Sequence, residues 1–434
     1  MPFLHAGNSS ASRALGVSTP ADHDARRDGG RHVVIIIENL PLRLDRRVRN
    51  ECRALIDAGI RVSVICPKET PGEPDLHAID GVTVHSYPAV RCDGSPRSYF
   101  HRFATCFWHV ARLSWRIHRS APFDTIQACN PPDTYWLLGA LWRMRGRSFV
   151  YDQHDLCPEV YEARFGHGGA LHSALLWLER QSYRFADRVI APNPGYREIA
   201  LRRGKLDDDH VTVVMSTPDA DLMKRGSAHP ELRGAQRYLV CYVGIMGPQD
   251  GVDNLLGMID VYVHDLGRSD TRFALLGFGD SYESLRADCT ARGLDPWVTF
   301  TGRVDHDEIG RWLSTADLGV TPDPPNEFND RSTMNKTLEY MAHEVPVVAV
   351  DLRETRRCAG DAAVYVSGRD RREAALATSE LLDDPARRRR MGRLGRKRIE
   401  HELDWRLQAR AYVGVFDDLA ASARRRRPSL RRPA

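Results

Sequence analysis

The sequence predicts an α/β chain made of two doubly wound domains facing across a cleft. Three observations predict it. Short apolar runs rich in valine and isoleucine alternate with amphipathic stretches of helical length, as in Val33-Val34-Ile35-Ile36-Ile37 followed by residues 45–58. Such runs suit strands buried on both faces of a mostly parallel sheet, with helices covering it. The alternation then halts in a polar stretch carrying Pro218, Gly226, Pro230 and Gly234, and restarts at Tyr238. Last, 434 residues at about 150 per domain favour two or three domains over one.

In the first half, strands are expected at 33–37, 61–66, 125–129, 148–151, 188–191 and 211–214. Helices are expected at 45–58, where Gly59 is the stop, and at 99–118, 133–144, 171–186 and 195–203. In the second half, strands fall at 238–243, 272–276, 297–300, 317–320 and 346–349. Helices fall at 252–264, 281–291, 306–315, 333–343, 371–382, 385–400 and 405–422. The organisation is then a disordered leader (1–31), a first domain (32–216), a linker (217–236) and a second domain (237–403). A helix (404–422) returns to the first domain, and a basic tail (423–434) follows. In such sheets ligands bind at the carboxyl ends of strands.

Composition narrows the function classes. Hydrophobic residues make up 42% and charged residues 28%, which excludes wholesale disorder and fibrous repeats. Sixty-two basic against 58 acidic residues leave +4, too little for a nucleic-acid neutraliser. Nine scattered cysteines with no Cys-x-x-Cys pair read as reduced thiols and argue against zinc. No apolar signal segment and no 18-residue apolar run occur, so a cytoplasmic location is expected. Asp219-Ala-Asp221 is discounted as a metal motif because it falls in the linker.

Two segments carry chemistry. Gly244-Ile-Met-Gly247-Pro-Gln-Asp250-Gly251 follows a strand and opens a helix, so its backbone could approach a phosphate. In Asp330-Arg331-Ser-Thr-Met-Asn335-Lys336-Thr-Leu-Glu339, Ser332 or Thr333 is the expected N-cap. Lys336 then lies in or near the first helical turn, where the helix dipole disfavours a cation. An anion such as a diphosphate would explain it. Glu339 shares its face, and a carboxylate there suits the two hydroxyls of a ribose.

Together with Gly277-Phe-Gly279-Asp280 and Phe300-Thr-Gly302-Arg303-Val304, these segments resemble the family 4 glycosyltransferases of the two-Rossmann GT-B fold. Asp45-Arg46-Arg47-Val48, with Glu51 and Gly59, and Tyr151-Asp152-Gln153-His154-Asp155 are similar to that family too. The subset it most resembles extends lipid-linked glycans for bacterial polysaccharides. The resemblance implies retaining transfer of sugar from a UDP- or GDP-sugar to a hydroxyl of a glycan or polyprenyl-diphosphate-linked acceptor, with no metal and no other cofactor. It places the donor on the second domain. Glu339 would hold the ribose, and Lys336 the diphosphate, with backbone at Gly244 and Gly247. Backbone at Arg303 and Val304 would face the base, and Arg331 and Asn335 complete the donor set. On the first domain His154 would stand at the reacting centre with Asp155 beside it, and Arg47 and Asn130 would serve the acceptor.

The chain departs from the family pattern. Ile245 and Asp250 stand where an Arg and a Lys are common, and Arg331 replaces the first glutamate of Glu-x7-Glu. Lys336 and Arg331 are expected to supply the lost charge. Glu38-Asn39-Leu40-Pro41-Leu42 replaces a glycine-rich loop. Alternatives are a nucleotide-sugar 2-epimerase of the same fold and a degenerate scaffold subunit. Residues 97–119 interleave aromatics with arginines, and Arg387–Arg390 and Arg424–Arg427 are clumped. An anionic membrane surface, met peripherally at the inner face of the plasma membrane, is therefore an expected partner; nucleic acid is not.

Overall fold

The computed structural model describes residues 30–90, 96–166 and 168–426. The expected leader lies outside the described residues up to 29, and the tail from 427. The chain divides into two compact units. One gathers the residues up to Pro158, Gly169–Val214 and those from Ala409; the other holds Glu159–Gly168 and Met215–Gln408.

In the first unit the strands are β1 (His32–Ile36), β2 (Arg61–Pro67), β3 (Leu76–Ile79), β4 (Val82–Tyr87), β5 (Thr125–Cys129), β6 (Ser148–Asp152), β7 (Arg188–Ala191) and β8 (Val211–Val213). They form one sheet in the order β3-β4-β2-β1-β5-β6-β7-β8. Every neighbouring pair is parallel except β3 with β4. Val34 and Ile36 of β1, with Ile126 and Phe149, are buried in a core that helices cover. The helix Arg46–Asp57 starts where the Asp45 carboxylate accepts from the Val48 N–H at 3.0 Å. It ends before Gly59, whose φ of 73° suits glycine. The β3–β4 hairpin was not expected. Its two-residue turn, Asp80-Gly81, joins Ile79 paired with Val82, and both turn residues have positive φ. That dipeptide is the local signal that specifies it.

In the second unit the strands are β9 (Tyr238–Val243), β10 (Thr271–Leu276), β11 (Val298–Gly302), β12 (Leu318–Thr321), β13 (Val347–Val350) and β14 (Ala363–Val366). The order is β11-β10-β9-β12-β13-β14, all parallel. The sheet reverses direction of growth between β9 and β12, as the first does between β1 and β5. Loops leaving those strands flank a switch point, where such sheets take ligands.

Residues 217–236 pack onto the second unit instead of running free as a linker. The Gly226 and His229 N–H groups donate to Ser314 Oγ and Thr315 Oγ1 at 2.9 and 2.8 Å, and Arg233 pairs with Asp317 at 2.8 Å. Satisfied backbone polar groups hold that segment down. Asp221 pairs with Arg406, and Asp219 accepts from the Asp221 N–H, so both carboxylates are used in structure. The last helix runs Trp405–Arg426, longer than the sequence indicated. Tyr412 on it donates to Gln127 Oε1 at 2.7 Å.

Candidate active site

In the first unit the loops after β5 and β6 are tied together by one amide. Asn130 Oδ1 accepts from the N–H groups of His154 and Asp155 at 2.6 and 3.1 Å. Its Nδ2 donates to Asp155 O at 2.8 Å and Asp133 Oδ1 at 3.0 Å. Asn130 is buried, and its amide is committed to holding the loop. Asn130, of which an acceptor role was expected, thus positions His154 and Asp155.

Beneath that loop lies a buried charge network. Arg47 reaches from its helix to Asp152 Oδ1 at 2.8 Å, Glu51 Oε1 at 2.9 Å and Val214 O at 2.8 Å. Gln127 Nε2 donates to Glu51 and to Asp152, each at 3.0 Å. His154 Nε2 stands 2.9 Å from Asp152 Oδ2, and the imidazole is 15% exposed. Arg47, of which an acceptor role was expected, is buried among these groups.

Two carboxyls sharing one guanidinium are driven apart. Burial alone would raise Asp152, but Arg47 and His154 overturn it and hold the carboxyl well below the usual range. Burial and the Asp152 charge push Glu51 up to about 8, against the pull of Arg47. Burial works against a charged His154, but its contact with Asp152 outweighs that and raises it. Nearby, Glu38 follows β1 with its carboxyl buried and pushed up to about 7, against the Tyr135 hydroxyl that donates to it at 2.6 Å. Asp152, Glu51, Gln127 and Glu38 were not singled out as functional from the sequence. The signal was positional for two of them: Asp152 ends β6 and Glu38 follows β1, while Gln127 lies within β5 and Glu51 on a helix.

In the second unit the glycine turns interlock. The Gly244 N–H donates to Leu276 O at 3.0 Å and the Met246 N–H to Phe278 O at 2.9 Å. A Cβ at Gly277 would stand 1.8 Å from Gly244 O, so no other residue fits there. The Gly247 N–H donates to Asp250 Oδ2 at 2.9 Å. Both amides expected to meet a phosphate thus have partners within the unit, and a carboxylate occupies the anion position at Gly247.

The helix carrying Lys336 and Glu339 runs Asn335–Ala342. Its N-cap is Met334, not Ser332 or Thr333. Ser332 Oγ donates to Phe328 O and Thr333 Oγ1 to Glu354, so neither side chain turns to the helix end. Tyr340 clamps the helix to the sheet: its hydroxyl donates to Val320 O and accepts from the Val243 N–H, and its ring lies where a side chain at Gly319 would be. Lys336 falls in the first turn as expected, but its Nζ is 2.6 Å from Asp323 Oδ1 and 5.2 Å from the Tyr242 ring centre. Its charge is already matched. Asp323, buried on the loop after β12, was not singled out. Glu339 is half-buried one turn on, and Asn335 is exposed. Arg331 lies 3.9 Å from Glu327, and Arg303 covers the Phe278 ring at 5.0 Å beside half-buried Val304.

Residues 44–216 match a glycosyl transferase 4-like domain, and residues 237–384 match the glycosyl transferases group 1 domain. The alpha-D-kanosaminyltransferase of Streptomyces kanamyceticus is 29% identical over 50% of this chain and 56% of its own length. The chain thus spans little more than half of that relative. The D-inositol 3-phosphate glycosyltransferase of Thermobispora bispora is 24% identical over 85% of this chain and 86% of its own. A solved structure, the sucrose-phosphate synthase of Thermosynechococcus elongatus, superposes with a TM-score of 0.70 at 20% identity, covering 90% of this chain and all of that one. The two family models follow one another on the two doubly wound units, and the chain belongs to the glycosyltransferases of the GT-B fold.

Proposed function

We propose that the chain transfers a sugar, with retention of configuration and without a metal, from a UDP- or GDP-sugar to a hydroxyl of a glycan or polyprenyl-diphosphate-linked acceptor. One observation carries the donor assignment. The helix Asn335–Ala342 is clamped so that Lys336 and Glu339 follow β12 at the switch point, with Lys336 against Gly244. Lys336 meets the diphosphate and Glu339 the ribose. The Lys336 cation favours the charge that develops on a leaving diphosphate. Catalysis then rests on positioning and on that electrostatic stabilisation, with the leaving phosphate taking the acceptor proton. The test is to incubate UDP- and GDP-sugars with a polyprenyl-diphosphate-linked glycan and read the product anomer by NMR. An inverted anomer contradicts retention, and activity that vanishes with EDTA contradicts metal independence.

A second reading is a supporting subunit without turnover. It is favoured by the Asp323 partner of Lys336 and the Asp250 carboxylate on Gly247, which balance charge where a diphosphate would sit. Calorimetric binding of a nucleotide sugar, with no nucleoside diphosphate released on adding acceptor, favours that reading.

The partner surface we infer is an anionic membrane at the cytoplasmic face. The helix Pro96–Ser120 exposes Trp108 and Trp115, the helix Trp136–Met144 exposes Leu137, Leu141 and Met144, and the helix Ala170–Phe185 exposes Leu171 and Trp177. Trp115 packs on Trp142 and Trp136 on Trp177, so the three helices adjoin, and Arg112 and Arg145 stack on the exposed tryptophans. No helix among the described residues is long and apolar enough to cross a membrane. Failure to sediment with anionic vesicles at low salt overturns the assignment.

A further inference from the structure

We propose that the second unit carries a separate pocket for an anionic amphiphile, meaning an alkyl body ending in a carboxylate or phosphate. A cavity of about 400 Å³ opens between the helices Val252–Asp260 and Arg371–Asp383 and the ends of β12, β13 and β14. Sites for small ligands span roughly 300–1,000 Å³, so the volume is sufficient. Its floor is apolar, from Leu255, Met258, Val348, Val350 and Val366. Unfilled apolar space of this kind forfeits dispersion contacts that a hydrocarbon would restore.

The rim sets the sign of the head group. Arg369 and Arg371 line it, and neither guanidinium has a hydrogen-bond or ion-pair partner among the described residues. Asp370, the carboxylate among the lining residues, is turned to its own helix and accepts from the Arg372 N–H at 2.8 Å. Gly257 gives Arg371 its place: a Cβ there would stand 2.4 Å from Arg371 Nε and 2.6 Å from Cζ. A missing side chain thus lets a cation lie against a helix beside an apolar hole. None of Gly244, Arg303, Lys336 and Glu339 lines this cavity, so a nucleotide sugar held by them leaves it unfilled.

The test is calorimetry on the full chain with decanoate, decyl phosphate, decanol and inorganic phosphate. Decanoate or decyl phosphate is expected to bind, and the tighter of the two identifies a fatty-acid-like or a lipid-phosphate source. Losing the charged hydrogen bonds weakens binding roughly tenfold, so decanol and the Arg369→Gln/Arg371→Gln variant with either amphiphile should both fall by that factor. Gly257→Ala, which displaces Arg371 alone, should weaken binding by less. The proposal is overturned if neither amphiphile binds, if decanol binds as well, if the double variant binds unchanged, or if a nucleotide sugar displaces the amphiphile competitively.

Discussion

The two units share a topology and treat charge at their strand ends in opposite ways. The first buries it: Arg47, Glu51, Asp152 and Gln127 form a closed network, and only His154 at its edge reaches outward. The second pairs its charge locally, Lys336 of the helix Asn335–Ala342 with Asp323 on the loop after β12, and the Asp250 carboxylate with the Gly247 N–H. The buried network raises the pKa of one imidazole, that of His154, through its contact with Asp152. Local pairs can exchange a carboxylate for a phosphate. The difference separates an interlocked network from isolated pairs, and under the proposed function the isolated pairs are where an anion would enter.

The comparison breaks most visibly at Arg47. Arg47→Ala strips the cation from buried Asp152 and should cost about 3–5 kcal/mol by denaturant unfolding. A loss comparable to a surface change would mean the network is dispensable. Lys336→Ala leaves Asp323 buried without its cation and should cost less, roughly 1–3 kcal/mol, because a loop relaxes more readily than a sheet. Lys336→Ala/Asp323→Ala should recover part of that stability without restoring donor binding. Gly277→Ala forces the two glycine turns apart and should cost about 1–3 kcal/mol while weakening nucleotide-sugar affinity.

Smaller effects are read by pH. His154 is raised in the folded state, so its contribution is complete below the unfolded value and is lost as pH rises through the folded one. Asp152→Asn should move the His154 NMR titration to lower pH, and an unmoved titration contradicts the pairing. Glu38 runs the other way: with its carboxyl raised to about 7, the native state holds a proton the unfolded chain has released, so stability falls as pH rises from the ordinary carboxylate range to 7. Glu38→Gln should flatten that slope.

Much of the architecture was legible because periodicity and burial agree. The valine and isoleucine run at 33–37 marked a covered strand, and the stretch at 45–58 stopped by Gly59 marked a helix, to which the structure adds Asp45 as its cap. The β3–β4 hairpin was missed because four- and six-residue strands with polar members carry little periodic signal, although Asp80-Gly81 marked the turn. The site was half legible. His154 and Lys336 stand on motifs, but the partners that set their charge, Asp152 and Asp323, come from pairings across 2 and 13 residues whose geometry depends on how a loop folds back. The partners that Arg47 and Asn130 take, Asp152 and Glu51 for one and Asp133 for the other, were not legible, because a motif fixes position in sequence and not the direction a side chain faces.

The central claim is tested most directly by release of nucleoside diphosphate from UDP- and GDP-sugars in the presence of a polyprenyl-diphosphate-linked glycan, comparing the native chain with Glu339→Ala. Release by the native chain, abolished in a variant that remains folded, is the predicted result. Tight donor binding without release by the native chain, or undiminished release in Glu339→Ala, would contradict it.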